Sequence, residues 1–509
     1  MPPSAAALNT IPTELLTQVR SASNWIRHEA GESANDIARL DTPPEDVTTD
    51  SWDALAAYLR GVRLDQENKS ADAVIALREA IRLDPKFALA YGKLADIQLT
   101  LHQEPEGFEN YKKALDPGLE RRLSRRERDR IEGMYAVDSQ DFPAAVDAFR
   151  DYETFYPNDK LGWMYPTYPL MMLGRDSEIA ANLDRVLALD PQNAFALNSK
   201  IDIYLAQGNL AEARTALAHS QQVGITSSTT ARAGALAFLG GNYEEATSQF
   251  SRLKQSPVLR LRSRGYEMLA AVSAERGDYA AALRILEEGM KEDISEGNPA
   301  AQSGKLAGRA WMKAQLGDFT GCASDLREAV KLNPSPELIL NVETILGQAI
   351  QLAPAAAAQS LRQQMIELAN NLPKGDYGTI THLLTRRSHA EAQLASGDIT
   401  GALQQFRDLP AMDAPVAPRE YLGRALTIAA AAERNPQRSQ ALHREAMQAY
   451  AAVALHPGIV WVSAYTYPPG FLASELQSYV HLADLAGDSS PDILAARTRL
   501  ASLRSKKAE

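Results

Sequence analysis

The chain has 509 residues, of which 45% are hydrophobic and only 7% aromatic, and its formal net charge is −11. This length is too great for one compact core, and a composition rich in Ala and Leu with few aromatics predicts many small, closely packed helices rather than sheets. The negative charge argues against nucleic acid or an anionic membrane as the main partner, since both need clustered positive charge, and the single cysteine excludes an internal disulfide.

Residues 1 to 50 are predicted to form a helical lead-in without a targeting segment. The opening stretch, MPPSAAALNTIPTELL, lacks the basic end and the apolar run of a signal peptide. No stretch of the chain reaches the roughly 18 consecutive apolar residues that a membrane span needs. We therefore expect no membrane insertion and, for the chain as it stands, a cytoplasmic location.

Residues 51 to 335 are predicted to form an array of helical pairs, because a short pattern recurs at intervals of 33 to 40 residues. Each copy carries a turn glycine, which takes the left-handed conformation that ends a helix, and most copies follow it with Asn or Asp, which can cap the next helix. A double interval before the last copy indicates one unit that has lost its signature. The turn glycines are Gly174, Gly208, Gly241, Gly277, Gly317 and Gly397.

The second helix of each pair carries a mostly small residue and then a large one at fixed places. A small side chain lets two helices approach closely, and a large one a turn later fills the space between pairs. The first position holds Ile179, Ala213, Ala246, Ala282, Cys322 and Ala402, and the second holds Leu183, Leu217, Phe250, Leu286, Leu326 and Phe406. Two earlier units have Ala73 with Leu77 and Ala145 with Phe149, and the second helices end before Pro85, Pro157, Pro191 and Pro334.

A helix-turn-helix unit of about 34 residues with this pattern resembles the tetratricopeptide repeat (TPR). The likeness covers roughly residues 51 to 335 and weakens from 336 to 509, where degenerate helical pairs and an irregular C-terminal cap are expected. It implies an all-α fold, a right-handed superhelical α-solenoid of stacked hairpins, with a concave groove for a protein or peptide segment. It also implies a non-enzymatic scaffold or sensor without a cofactor or metal.

The same resemblance assigns residues of the first helices to a partner-binding groove. The alternative, that some of these side chains are buried between units, stays open. The assigned residues are Leu89, Gly92, Asp96, Leu99, Leu161, Met164, Tyr168, Met171, Phe195, Asn198, Asp202, Leu205, Ala307 and Trp311.

The stretch GWMYPTYPLMMLG, residues 162 to 174, places Pro166 and Pro169 inside a first helix of the array. A proline in a helix interior costs about 3 kcal/mol unless the helix is kinked or restarted, so the sequence predicts a broken helix here. Freed carbonyls beside Trp163, Tyr165 and Tyr168 would make a local apolar pocket. Simple packing of irregular backbone is the alternative.

A second resemblance concerns GESANDIARLDTPPEDVTTDSWDALAAYLRG, residues 31 to 61, followed by AIRLDPKFALAYGKLADI and LSRRERDRIEGMY. These stretches are similar to the start of the TPR region of bacterial membrane-bound serine/threonine kinases. The chain has no Gly-rich loop, His-Arg-Asp or Asp-Phe-Gly motif, so it cannot transfer a phosphoryl group itself. The resemblance implies a signalling module, which in such kinases lies outside the inner membrane, in the periplasm.

Candidate catalytic groups are sparse, and the common hydrolase, phosphate-loop and metal motifs are absent. His382 and His389 are interpreted as surface or groove histidines, and Cys322 as the small buried residue of its repeat. The basic run ERRLSRRERDR, residues 120 to 130, is interpreted as a solvated helix face with intrahelical pairs, with docking of an acidic segment as the alternative.

The alternative function is an enzyme or small-ligand receptor with a pocket near residues 162 to 174 or 461 to 471. Within the second stretch, YTYPPGF at 465 to 471 is interpreted as a rigid loop that caps the end of the solenoid, or else as a second recognition loop. A deep pocket with clustered titratable groups would favour the receptor, and an open groove would favour the scaffold.

Overall fold

The computed structural model describes residues 13–29, 31–40, 48–67, 69–101, 103–225, 229–372, 379–409, 419–462 and 467–504. Every regular element in these ranges is helical, which confirms the predicted fold class, an all-α solenoid. One short 3₁₀ turn, Glu120–Arg122, precedes α7. The helices are α1 Thr13–Glu29, α2 Ala34–Leu40, α3 Trp52–Gln66, α4 Ser70–Leu83, α5 Ala88–Thr100, α6 Glu104–Ala114, α7 Arg125–Asp138, α8 Phe142–Phe155, α9 Lys160–Met164, α10 Thr167–Met172, α11 Asp176–Leu189, α12 Ala194–Ala206, α13 Leu210–Gln222, α14 Thr230–Leu239, α15 Tyr243–Lys254, α16 Leu259–Glu275, α17 Tyr279–Ser295, α18 Pro299–Gln315, α19 Phe319–Leu332, α20 Pro336–Leu352, α21 Ala355–Asn370, α22 Thr379–Ser396, α23 Ile399–Asp408, α24 Glu420–Ala432, α25 Pro436–Leu455, α26 Ile459–Val462, α27 Phe471–Ala486 and α28 Pro491–Arg504.

The chain divides into two compact units. Unit 1 consists of residues 1–170 with 377–379, and unit 2 of residues 171–376 with 380–509. The division falls inside the array predicted from 51 to 335, and the predicted boundaries at 50 and 335 stay a prediction. Antiparallel pairs in contact are α3 with α4, α5 with α6 and α7 with α8 in unit 1, and α12 with α13, α14 with α15, α16 with α17, α18 with α19, α20 with α21 and α24 with α25 in unit 2.

The turn chemistry between paired helices is the predicted one. All six turn glycines have a left-handed backbone, with φ between 66° and 96°. The side chains of Asn242, Asp278, Asp318 and Asp398 accept a hydrogen bond from the first turn of the helix that follows, whereas Asn209 makes no such cap. These caps satisfy amide groups that a helix start leaves without partners.

The packing positions read from the repeat are also confirmed. Every residue of the small and large positions, including Cys322 and the four residues of the two earlier units, is buried. The sequence did not predict a third position on the facing helix. Gly61 lies against Leu77, and a Cβ on Gly61 would come within 2.8 Å of the Leu77 side chain. Gly133 has the same relation to Phe149, so a missing side chain accommodates the large residue of the pair.

The proline positions end or interrupt helices as predicted. Helices α4, α8, α11 and α19 each end two positions before the repeat proline. The helix with Pro166 is broken into α9 and α10, which confirms the predicted interruption. The unit without a glycine signature is the pair α20 and α21, where an extended turn at Ala353 and Pro354 replaces the left-handed glycine.

The C-terminal helices of unit 2 return to the first helices of the same unit. Helix α26 contacts α12 and α14, and α27 contacts α16. Further contacts join α16 to α18, α18 to α20, α20 to α24, α24 to α25 and α25 to α27, so these helices form a closed circuit. The sequence predicted an end cap around 465 to 471, whereas Pro469 and Gly470 lie against Gly308 of α18 and Ala274 of α16. Tyr465 and Thr466 of that stretch lie outside the described residues.

Candidate functional site

Ion pairs join successive first helices of the array. In unit 1, Lys93 of α5 donates to Asp65 of α3 over 2.7 Å, and Arg130 of α7 donates to Asp96 of α5 over 3.1 Å. The Tyr111 hydroxyl also lies 2.7 Å from Asp96. These partners are 28 and 34 residues apart, which is about one repeat, so the pairs fix neighbouring units against each other.

Unit 2 repeats this arrangement with Asp202 of α12 and Arg232 of α14. The Arg232 guanidinium donates two bonds to the carboxylate, with Nε at 2.8 Å from Oδ1. Burial raises the pKa of Asp202, and the positive charge of Arg232 opposes that rise. Asp96 and Asp202 were both assigned to the groove from the sequence. In the structure each forms an ion pair that joins neighbouring repeats.

Of the other groove residues assigned in unit 1, Gly92 is buried and the rest are half-buried. Leu89 and Leu99 pack at the edge of the cluster around Tyr111, and a Cβ on Gly92 would meet Ile131 at 2.6 Å. Leu161, Met164 and Tyr168 keep part of their surface exposed. Their assignment to a partner site stays a prediction.

Some of the groove residues assigned in unit 2 are exposed and others are buried. Phe195 is 40% and Met171 37% exposed. Leu205 and Ala307 are fully buried, and Asn198 and Trp311 nearly so, with Trp311 at 2% exposed. Leu205 and Ala307 thus contribute to the core, and only Phe195 and Met171 are presented as apolar surface.

The aromatic residues beside the two prolines are engaged with their own unit. The Tyr165 ring stacks on Phe149 with centroids 5.3 Å apart, and the Tyr168 ring meets the edge of Phe142 at 5.8 Å. The Trp163 indole donates to the Pro157 carbonyl over 3.0 Å. These contacts give the interrupted helix a packing role, and a ligand pocket there stays a prediction.

The basic run forms pairs of two kinds. Arg125 bonds to Asp129 four residues later, as the sequence predicted for a helix face. Arg126 instead reaches Asp159, and Arg122 reaches the Thr48 carbonyl at 3.2 Å. The run therefore ties α7 and the turn before it to other parts of unit 1.

The titratable groups singled out from the sequence are Cys322, His382 and His389. Cys322 is buried, and burial raises the pKa of its thiol to about 12, so the thiol stays protonated. His389 is exposed, and the side chain of His382 lies outside the described residues. Within the described ranges no group of His, Cys, Asp and Glu is arranged to hold a metal ion. None of the described helices is long and apolar enough to cross a membrane.

Reasoning from the sequence missed a buried ionic network across α20, α22 and α24. Arg387 donates to Glu420 over 2.8 Å and lies beside Glu343, while Arg424 makes two bonds to Glu391. Burial raises the pKa of Glu343 to about 8, so this carboxyl is mostly protonated at neutral pH. A signal was available in the sequence, because Glu420 and Arg424 stand four apart in the otherwise apolar helix EYLGRAL.

Helices α20 and α24 also border a cavity of about 280 Å³ in unit 2. Trp311, which the sequence assigned to the groove, lines it together with Glu420, Arg424 and Tyr450. Gly470, at the start of α27, also lines it, so the cavity borders the 461 to 471 stretch that was named as a candidate pocket. A second, smaller cavity of about 40 Å³ is lined by Trp461, Pro468 and Pro469.

Comparison with known proteins finds a weak similarity to solved structures. No protein-family model matches the chain, and no curated protein matches it. The type IV pilus biogenesis factor PilW is 17% identical over 40% of this chain and 93% of its own, with a TM-score of 0.34. PilF of Pseudomonas aeruginosa is 19% identical over 40% and 90%, with a TM-score of 0.32. A TPR protein of Parabacteroides merdae is 16% identical over 59% and 98%, with a TM-score of 0.32. Similarities this weak carry no argument. The evidence for the repeat architecture is therefore the set of helical pairs in the chain itself.

Proposed function

We propose that the chain is a non-enzymatic TPR-like scaffold that binds a segment of another protein on the first helices of unit 2. The observation that carries the proposal is that these helices already hold a segment of their own chain. Trp461 lies with its ring centroid 4.2 Å from that of Phe238 and 5.7 Å from that of Phe250. An aromatic anchor in an apolar site is how groove-binding segments are commonly held.

The remaining docking surface is defined by Phe195 and Asp202 of α12 with Arg232 of α14, and we name it the docking strip. The two α12 residues are seven positions apart, about two helical turns, so they share one side of the helix. Phe195 offers an exposed apolar ring at one end of the strip. The ion pair of Asp202 with Arg232 holds α12 and α14 in place at the other end.

The test is a pull-down from extract of the native cell, with captured proteins quantified by mass spectrometry. Replacing Phe195→Ala should reduce specific partners at least tenfold, since a hot-spot aromatic contributes about 2 kcal/mol or more. Ile294→Ala is the matched control, because Ile294 is also an exposed apolar residue, at 60%, but lies in the last turn of the second helix α17. Equal recovery of the same partners by both variants would contradict the docking strip.

A narrower proposal concerns the class of signalling protein. The likeness of residues 31 to 61 to kinase-linked arrays supports a role as the interaction region of a bacterial signalling kinase, located outside the inner membrane. The chain carries no kinase motif of its own. If the proposal is right, a captured partner or a longer parent chain carries ATP-dependent protein kinase activity. Absence of kinase activity from all captured proteins contradicts the kinase link. That result does not bear on the docking strip.

A further inference from the structure

Helix α27 carries a carboxyl group that nothing in the packed protein bonds. Glu475 is 1% exposed, and both of its carboxyl oxygens are buried without a hydrogen-bond partner among the described residues. Burying a neutral polar group without a partner is costly, and burying a lone carboxylate costs far more, so such a group keeps its proton. Glu475 is therefore a neutral acid while α27 is in place.

The charged groups that face Glu475 from α24 are already engaged with other residues. They are Glu420 and Arg424. Arg424 makes two hydrogen bonds to Glu391, and Glu420 accepts one from Arg387 over 2.8 Å. The two guanidinium groups thus each have a carboxylate of their own, and Glu475 is left without a compensating charge.

The surroundings keep the proton on Glu475 from two sides. Burial raises the pKa of Glu475 well above 4.5, the charge of Glu420 raises it further, and the charge of Arg424 opposes the rise. From α25 the facing group is the phenol of Tyr450, whose pKa is raised by burial and by the charge of Glu475. This phenol stays neutral, so α25 supplies no positive charge either.

A second buried carboxyl group holds the first turn of α27. Glu275 of α16 is 1% exposed and accepts hydrogen bonds from the amides of Leu472 and Ala473. Burial raises the pKa of Glu275 to about 7, while these amides and the charge of Arg504 on α28 oppose the rise. Below that pH both carboxyl groups carry a proton in the packed protein, and both reach water if α27 leaves.

We propose that α27 is a latch whose release from α16 and α25 gives up two protons, so that the helical circuit of unit 2 is held closed in acid and opens as pH rises. In water a glutamic acid side chain is ionised above about pH 5. Each proton released on opening raises the ratio of open to closed molecules about tenfold per pH unit, so two protons raise it about a hundredfold. The latch includes no residue of the docking strip, so the two proposals can fail separately.

The test is native-state hydrogen exchange of the full chain at about pH 5.5 and 6.5, with mass spectrometry of the α27 peptides and correction for the intrinsic exchange rate. In the wild type the opening ratio of α27 should rise about a hundredfold between the two pH values. Glu475→Gln and Glu275→Gln each keep the shape and remove one titrating group. Each variant should reduce the rise to about tenfold.

The matched control is Glu343→Gln, because Glu343 is also a buried carboxyl with a raised pKa, of about 8, but its partners Arg387 and Ser388 lie on α22. If α27 opens by itself, this variant keeps the full rise. A tenfold smaller rise in it would mean that α27 exchanges only when the whole unit unfolds, and the latch would be wrong. A wild-type ratio that is constant between the two pH values, or an unchanged rise in Glu475→Gln, would also overturn the proposal. Circular dichroism at both pH values shows that each variant is folded.

Discussion

The indole ring of Trp461 lies nearly parallel to the ring of Phe250, with centroids 5.7 Å apart and 8° between the planes. Phe250 is the large packing residue of its repeat, and 211 residues of chain separate the two. This stack, with the contact between Trp461 and Phe238 of α14, fixes the short helix α26 on the pair α14 and α15. Nearby, Glu275 at the end of α16 accepts hydrogen bonds from the Leu472 and Ala473 amides, at 3.1 and 2.7 Å, and so caps the start of α27.

Removing the indole of Trp461 should destabilise unit 2 and loosen the C-terminal helices. We expect Trp461→Ala to lower the free energy of unfolding by roughly 3–5 kcal/mol, the usual cost of truncating a buried large aromatic. Urea denaturation measures this loss, and limited proteolysis should show earlier cleavage after residue 458. Trp25→Ala is the control, since Trp25 is 65% exposed and its loss should change stability by less than about 0.5 kcal/mol.

Two glycine-to-alanine substitutions should act in opposite directions. A Cβ on Gly458 would overlap the Leu205 carbonyl oxygen of α12, so Gly458→Ala should destabilise by roughly 1–3 kcal/mol as backbone is displaced. Gly304, inside α18, has only a Glu267 carboxylate oxygen at 3.9 Å, so Gly304→Ala should stabilise by up to about 1 kcal/mol through helix propensity. Thermal melting of both variants measures these stability changes. Equal shifts in melting temperature would contradict the contact between Gly458 and α12.

The ion pair of Asp96 and Arg130 should contribute measurably to unit 1. Asp96→Asn leaves the partly buried guanidinium without its carboxylate and should cost roughly 2 kcal/mol. In a double-mutant cycle with Arg130→Met, the combined loss should be smaller than the sum of the two single losses. Glu109→Gln, which breaks the exposed pair with Lys113, should cost less than about 0.5 kcal/mol. Additive losses would mean that Asp96 and Arg130 do not interact.

Stability should decrease as pH rises from about 5 to about 8. Burial raises the pKa of Glu275 from 4.5 to about 7, so in this range the folded chain holds a proton that the unfolded chain releases. The stabilisation is complete below the unfolded pKa and is lost as pH passes the folded pKa. Glu343 acts in the same direction with a pKa of about 8.

The Glu275 effect is large enough to isolate. Its pKa shift corresponds to roughly 3 kcal/mol, so Glu275→Gln should flatten the decline in unfolding free energy by about that amount. Urea denaturation at a series of pH values measures the slope. A wild-type stability that is constant or rises over this range, or an unchanged slope in the variant, contradicts the assignment.

The repeat could be predicted from the sequence because its signals are local. Left-handed glycines, the caps after them, the buried small and large positions and the terminal prolines each concern residues within one hairpin, and the structure confirms them. The interrupted helix at Pro166 followed from the geometry of proline alone. After residue 336, α20 with α21 and α24 with α25 form helical pairs in contact, and their description as degenerate repeats stays a prediction.

The site was harder to predict because it depends on contacts between distant parts of the chain. No sequence pattern near Gly470 indicates that this residue lies against Ala274. The sequence likewise does not indicate that α27 joins the helices that border a cavity. Repeat register also cannot separate Phe195, whose ring is exposed, from Leu205, which occupies the same helix and is buried. Asp96 and Asp202 resembled groove residues because their partners, about one repeat away, were not visible in a single unit.

The return of the C-terminal helices to α16 is the claim on which both the bound segment and the cavity depend, and cysteine cross-linking tests it most directly. A Cβ at residue 470 would lie 3.3 Å from that of Ala274, close to the spacing in a disulfide, and the native Cys322 is buried. With Ala274→Cys and Gly470→Cys combined, we predict rapid intramolecular disulfide formation in dilute protein, detected by mass spectrometry of the peptides. The control pairs Ala274→Cys with Gly487→Cys, a glycine that is also left-handed but has nothing within 4 Å of its Cβ position. Oxidation of the first pair no faster than that of the control would contradict the account.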